Sequence, residues 1–270
     1  MMNRLIFRSC CCLFALFAHG QLAIASPPMD GALLQSFAPT GVLRVGINLG
    51  NPVLASTNTT TQKPIGVTVD IAHEIGARTG LPVQLIPFQS AGATVSALKS
   101  NNIDLIFVAI DPLRGEDVSY TPPYIQIEGA YLVKSSSPIQ SNQEVDKVGN
   151  EIIVGLGSAY DLYLTREIKH ATFIRTTSSP AVVDEFMSGK GNVAAGVKQQ
   201  LESDAARYSG VRMLPGRFMV IDQAIGIPKA RPESVKTTAY LANVIADLKA
   251  SGFVASALKR HDIQGAKVAE

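Results

Sequence analysis

Apolar positions along this chain fall into two alternating periods. Leu43-Arg44-Val45-Gly46-Ile47 repeats every second residue, the pattern of a half-buried strand. Gly50-Asn51-Pro52 breaks it, and the polar run from Ser56 to Lys63 predicts a surface loop. From Asp70 the period lengthens: Ile71 and Ile75 share one helix face, and Gly80 stands where a left-handed C-cap would end the helix. Val83 to Ile86 predicts a strand and Thr94 to Lys99 a helix. Ile103-Asp104-Leu105-Ile106-Phe107-Val108-Ala109 is then apolar at nearly every residue. A strand of a parallel sheet covered by helices on both faces has that composition.

The rhythm repeats further along. Ile152 to Val154 predicts a strand, Ser158 to Lys169 a helix, Thr172 to Arg175 a strand and Pro180 to Met187 a helix. Strands follow at Val193 to Val197 and Gly210 to Leu214. Two α/β units in tandem imply a layered α/β fold. Tyr131 to Lys134 predicts a strand running into the polar Ser135-Ser136-Ser137-Pro138, and Met219 to Ile227 another that stops at Pro228. Two helices close the chain, with Val235, Leu241, Val244, Ile245 and Leu248 at helical spacing and no sheet of their own to cover. The economical arrangement has the chain cross to a second lobe near residue 134 and return near 222. The expected organisation is a lead-in at 26–40, a first lobe of 41–134 plus 223–270, and a second lobe of 135–222. Two crossing strands make a hinge, and a hinge between α/β lobes makes a ligand cleft.

Composition narrows the function. Arg4 and Arg8 open the chain, an apolar run spans Cys10 to Ala18, and Ala23-Ile24-Ala25 supplies the small-x-small pattern of a signal-peptidase site before Ser26. The expectation is a signal peptide over 1–25 and a periplasmic mature protein. All three cysteines (Cys10, Cys11, Cys12) lie in the leader, so the mature chain has no disulfide, thiolate nucleophile or cysteine metal site. Arg8 and Ser9 before Cys10 do not suit lipid attachment. Of 24 Lys plus Arg, Arg4 and Arg8 leave with the leader, so 22 remain against 22 acids. Without a concentrated basic patch, nucleic acid is excluded as a partner. No later apolar stretch is long enough to cross a bilayer. His73, His170 and His261 have no partners at ligand spacing, so neither a metal nor another cofactor is expected. Gly189-Lys190-Gly191 lacks the rest of a phosphate-binding loop, and Ser158 lacks a nucleophile elbow.

Two motifs carry candidate chemistry. Asp111-Pro112-Leu113-Arg114 follows the buried strand directly, with Asp at N-cap and Pro at N1 of a helical turn. Ligands of open α/β sheets bind beyond the carboxyl ends of strands, where Arg114 could aim its planar donors at a carboxylate. On spacing alone it could equally be an exposed arginine on a short surface helix. Gly157-Ser158-Ala159-Tyr160-Asp161 occupies the equivalent place in the second unit, with Ser158 and Asp161 as a capping-box variant. Its free amides would favour an anion, though a cap with only a structural duty fits the same residues.

The order of these pieces resembles the bacterial extracellular solute-binding proteins of family 3, the periplasmic amino-acid-binding components of ABC transporters. The resemblance runs from about Leu43 to about Leu258. It rests on Leu43-Arg44-Val45-Gly46, Gly66-Val67-Thr68-Val69-Asp70-Ile71-Ala72, Ile103-Asp104-Leu105-Ile106, Pro112-Leu113-Arg114, Tyr120-Thr121-Pro122-Pro123-Tyr124, Gly157-Ser158 and Gly226-Ile227-Pro228-Lys229. It implies a type II periplasmic-binding-protein fold and a monomer that delivers a small carboxylate to an inner-membrane permease. The family's ligand-carboxylate arginine falls on Arg114, its accompanying groups on Ala109 and Asp111, and its helix-start contact on Ser158 and Ala159. Two positions depart from the pattern. Asn51, with Asn48 in the same loop, stands where an aromatic ring usually covers the ligand. Lys198 stands where an Asp usually grips the ligand ammonium.

A cleft-facing Lys198 would repel an ammonium and attract a second acidic group. The alternative is that Lys198 points to solvent while Gln199 or Asp222 does the work. The functional expectation is binding and delivery without catalysis. The rival is a periplasmic dehydratase of cyclic carboxylates on the same fold, which needs a general acid, with Glu128 as the candidate.

Overall fold

The computed structural model describes residues 29–270. The expected signal peptide, its cleavage site and the three cysteines lie outside these residues. The chain opens with α1 (Gly31–Phe37), β1 (Leu43–Asn48), the two-residue strands β2 (Ser56–Thr57) and β3 (Pro64–Ile65), and α2 (Val67–Thr79). Then come β4 (Val83–Phe88), α3 (Ala91–Lys99), β5 (Leu105–Ala109), β6 (Val118–Tyr120) and β7 (Ile125–Lys134). A second group follows: β8 (Glu151–Gly155), α4 (Ala159–Glu167), β9 (Thr172–Thr176), α5 (Val182–Met187), β10 (Val193–Val197), α6 (Lys198–Ala205) and β11 (Val211–Met213). β12 (Met219–Pro228), α7 (Ser234–Ala250), α8 (Phe253–Arg260) and β13 (Lys267–Val268) complete the chain.

One curled sheet runs through the molecule in the order β4-β1-β5-β12-β7-β10-β8-β9. At one end β4, β1 and β5 are parallel, and at the other so are β10, β8 and β9. Between them stand β7 and β12, antiparallel to each other over Ile125–Gly129 and Met219–Gln223. Beyond that shared stretch the two strands diverge. β12 continues along β5 and β6, while β7 continues along β10 and β11. Each parallel unit therefore has its own antiparallel edge, and only two strands join the units. That topology yields two lobes with a groove at the strand ends.

Burial explains the elements. All five residues of β5 are buried, as expected of a strand covered on both faces. On one face of the first lobe α3 brings Val95 and Leu98 onto Ile103, Ile106 and Val108. In the second lobe α5 and α6 bring Val182, Phe186 and Leu201 onto Leu132, Ile153 and Ala194. α7 packs on α1, β6 and β12, and α8 on α2, so the terminal helices lie on the first lobe. Gly80 caps α2 with φ 71°, its N–H bonded to Gly76 O.

Several boundaries differ from those read in the sequence. α2 starts at Val67 rather than Asp70, because Val67 and Val69 are buried as well. The lead-in contains α1, capped by Asp30 through Leu33 N and anchored by buried Leu33 and Phe37. α6 was not expected at all: Lys198 begins a helix instead of ending a strand. The site candidates Asp111 and Lys198 also sit differently from expectation, as set out below.

Candidate functional site

A cavity of about 30 Å³ lies between the lobes, at the carboxyl ends of β1, β5, β8 and β10. The first lobe contributes Asn48, Gly50, Asn51, Ala91, Ala109 and Arg114. The second contributes Ser158, Ala159, Tyr160, Ser179 and Val197, and the connecting strand β12 adds Ile221 and Gln223. A space this small holds roughly one or two waters. Anything larger requires the lobes to part.

Arg114 is the only charged side chain among the lining residues. It is 5% exposed, and its guanidinium donates to Ala109 O (3.0 Å) and Gly157 O (2.8 Å). Among the described residues it forms no ion pair. Burial lowers its pKa, the nearby Tyr120 and Asp111 opposing that effect. Tyr120 is no counter-ion, since burial pushes its phenol up to about 12 and keeps it neutral. A buried cation that has only carbonyl partners is costly, and an anion would offset that cost.

The backbone that carries Arg114 is set by Asp111. Its Oδ1 accepts from Leu113 N (2.9 Å) and Arg114 N (3.3 Å), opening a short 3-10 turn over Arg114–Glu116. Across the cleft Ser158 caps α4, its Oγ accepting from Asp161 N (3.0 Å). Asp161 returns the favour to Gly157 N (2.9 Å) rather than to Ser158 N, which is why the pair is a variant of the capping box. Helix geometry leaves the amides of Ala159 and Tyr160 without intrahelical acceptors beside the cavity. Tyr160 is fully buried and its phenol is pushed up by burial, with Ser179, Ser158 and the Gly155 amide opposing the shift.

Of the residues singled out from sequence, Arg114, Ala109, Asn48, Asn51, Ser158 and Ala159 line this one cavity. Two do not. Asp111 is 3% exposed, but its Oδ2 pairs with Arg166 Nη1 of α4 at 2.9 Å instead of facing the cavity. Lys198 is a correction as well: its ammonium lies 3.3 Å from Glu128 Oε2, and its side chain is 35% exposed. Because Lys198 starts α6, the chain turns at Val197 and directs the ammonium to β7, leaving Val197 on the cavity wall. The alternatives do not reach the cavity either. Asp222 Oδ1 accepts from Gln126 (2.8 Å), and Gln199 Oε1 is buried without a partner beside a different groove.

Gln223 was missed. It is 6% exposed, lines the cavity, and sits in register with Ala109. A glutamine inside the apolar run from Met219 to Ile227 was the available signal. Asn51 carries a further hint, since its Oδ1 is buried with no hydrogen-bond partner.

Three contacts close the lobes over this site. Arg114 reaches Gly157 O, Asp111 pairs with Arg166, and the two backbones nearly touch at Gly92 and Gly157. A Cβ at Gly157 (φ 68°) would lie 3.3 Å from Gly92 Cα. Glycine suits that position for both its conformation and its bulk.

Solved structures share this architecture. The solute receptor for L-cysteine of Neisseria gonorrhoeae is 19% identical, covering 86% of this chain and 94% of its own, with a TM-score of 0.74. An ABC-transporter binding component of Wolinella succinogenes, complexed with lysine, is 22% identical over 82% of this chain and 95% of that one, at 0.70. An ancestral amino-acid-binding protein, a precursor of cyclohexadienyl dehydratase, is 18% identical over 84% and 98%, at 0.71. At these identities the likeness is one of fold, that of a two-lobed type II periplasmic binding protein. A comparison with curated protein sequences finds no match. The family model for bacterial extracellular solute-binding proteins, family 3, matches residues 43–261, and this chain belongs to that family.

Proposed function

We propose that the chain captures a small carboxylate in the periplasm and delivers it to the permease of an ABC importer. The observation that carries this reading is Arg114, a guanidinium 5% exposed in the cavity wall with no ion-pair partner among the described residues. A carboxylate there would complete its donors, with the amides at the start of α4 closing from the other lobe. Groups on both lobes then bind better when the lobes are together, which is how a ligand drives closure.

An enzymatic reading has less support. Arg217 first, and then Lys198, hold the Glu128 carboxyl below the usual carboxylate range. An acid kept ionised at neutral pH is a poor proton donor. The test is a thermal-shift screen of small carboxylates on wild type and Arg114→Ala. A true ligand raises the wild-type Tm with concentration, as mass action requires, and loses that effect in the variant. Equal shifts in both proteins would remove Arg114 from the binding role.

A further inference from the structure

The cavity holds an arginine for a carboxylate but no acid for an ammonium. Among the described residues, each carboxylate packed around it is committed elsewhere. Asp111 pairs with Arg166, and Asp161 with Arg175 at 2.9 Å. Asp222 accepts from Gln126, and Glu128 takes both Lys198 and Arg217. The carbonyls of Ala109 and Gly157 each receive one N–H of the Arg114 guanidinium, and that positive charge would repel an ammonium approaching their second lone pairs. An α-ammonium closed into this space would lose its water and gain no counter-charge, a costly exchange.

Three neutral amides line the same space, and of these Asn48 already accepts from Gly50 N through its Oδ1 (3.0 Å). Asn51 Oδ1 is buried and lacks a donor. Gln223 is 6% exposed, and among the described residues none makes a hydrogen bond to its side chain. Its position is dictated by the sheet: Ile221 and Gln223 share one face of β12, and Gln223 lies beside Ala109 of β5. A hydroxyl both donates and accepts, so it can satisfy an Asn51 oxygen and a Gln223 N–H together. A keto oxygen accepts only, and would leave Asn51 unsatisfied.

We propose that the cleft selects a small α-hydroxy carboxylate over the corresponding α-amino acid, with Gln223 as the residue that reads the neutral oxygen. The inference rests on the carboxylate reading of Arg114 and adds the group beside the carboxylate.

Calorimetry of the wild type against three matched series tests it: glycolate, glyoxylate and glycine; lactate, pyruvate and alanine; phenyllactate, phenylpyruvate and phenylalanine. In any series that binds, the hydroxy acid should bind about tenfold or more tightly than the amino acid, with the keto acid weaker than the hydroxy acid. Gln223→Glu should weaken the hydroxy acid about tenfold and improve the amino acid, a gain that mere loss of packing would not produce. Should that variant fail to fold, the wild-type comparison decides alone. Amino acids binding as tightly as hydroxy acids, with both lost in Arg114→Ala, overturns the selectivity and leaves the carboxylate reading standing. Absence of binding in all three series takes down both.

Discussion

The contact between Asp111 and Arg166 should set how readily the lobes part. Asp111 belongs to the turn after β5 and Arg166 to α4, so their 2.9 Å ion pair crosses the cleft. Asp111 is 3% exposed on its side chain and Arg166 40%. An exposed pair contributes about 0–1 kcal/mol, whereas orphaning one member of a buried pair costs about 3–5 kcal/mol. Here one partner is half in water, and Asp111 keeps the amides of Leu113 and Arg114 whatever happens to Arg166. Arg166→Gln should therefore cost the closed state about 1–2 kcal/mol, shifting the open–closed equilibrium roughly 5- to 30-fold. A chain expressed from Ser26 contains no cysteine. Val148→Cys and Val235→Cys, at 87% and 81% exposed on opposite lobes, then accept spin labels for pulsed distance measurements. Arg166→Gln should move the distance distribution toward the open form without ligand. Asp111→Asn keeps the capping oxygen and loses the charge, so it should act similarly, and the double variant should add little. Identical distributions for wild type and Arg166→Gln, or fully additive single effects, would refute this account of closure.

Other consequences are as direct. Arg114→Ala should weaken binding of a confirmed carboxylate ligand about 100-fold or more, at about 1.4 kcal/mol per tenfold; a loss below about threefold with a normal circular dichroism spectrum would confine Arg114 to holding the lobes together. Glu128, held below its ordinary 4.5 by Arg217 and then Lys198, contributes stability that is present above the unfolded-state value and lost as pH falls through the lower folded-state value. Wild type should thus lose more stability than Glu128→Gln between pH 7 and about 3.5 in urea titrations, and parallel losses would count against the pairings. Export with cleavage after Ala25 predicts an intact mass, from the periplasmic fraction, that lacks Cys10, Cys11 and Cys12; a retained leader would contradict it.

Local features of this molecule were legible in the sequence because their causes are local. The unbroken apolar run ending at Ala109 implied a strand covered on both faces, and β5 is buried throughout. Gly80, Ser158 with Asp161, and Asp111 with Pro112 are caps and turns determined by neighbours within a few residues. Such signals also marked the strand ends where Arg114 and Ser158 meet in one cavity. What could not be read were directions set by partners distant in sequence. Lys198 follows a strand, and only the turn into α6 aims its ammonium at Glu128, 70 residues away. α6 itself is too polar to announce a helix; it forms because Leu201 finds the core built by β7 and β10. Gln223 looked like an interruption in an apolar strand until pairing with β5 placed it beside Ala109. The chemistry of the cavity wall thus depended on register and lobe closure, which are properties of long-range pairing. Sequence determined that the two halves are α/β units offering an arginine and a helix start. Tertiary structure alone decided that, among the described residues, no acid lines the cavity between them.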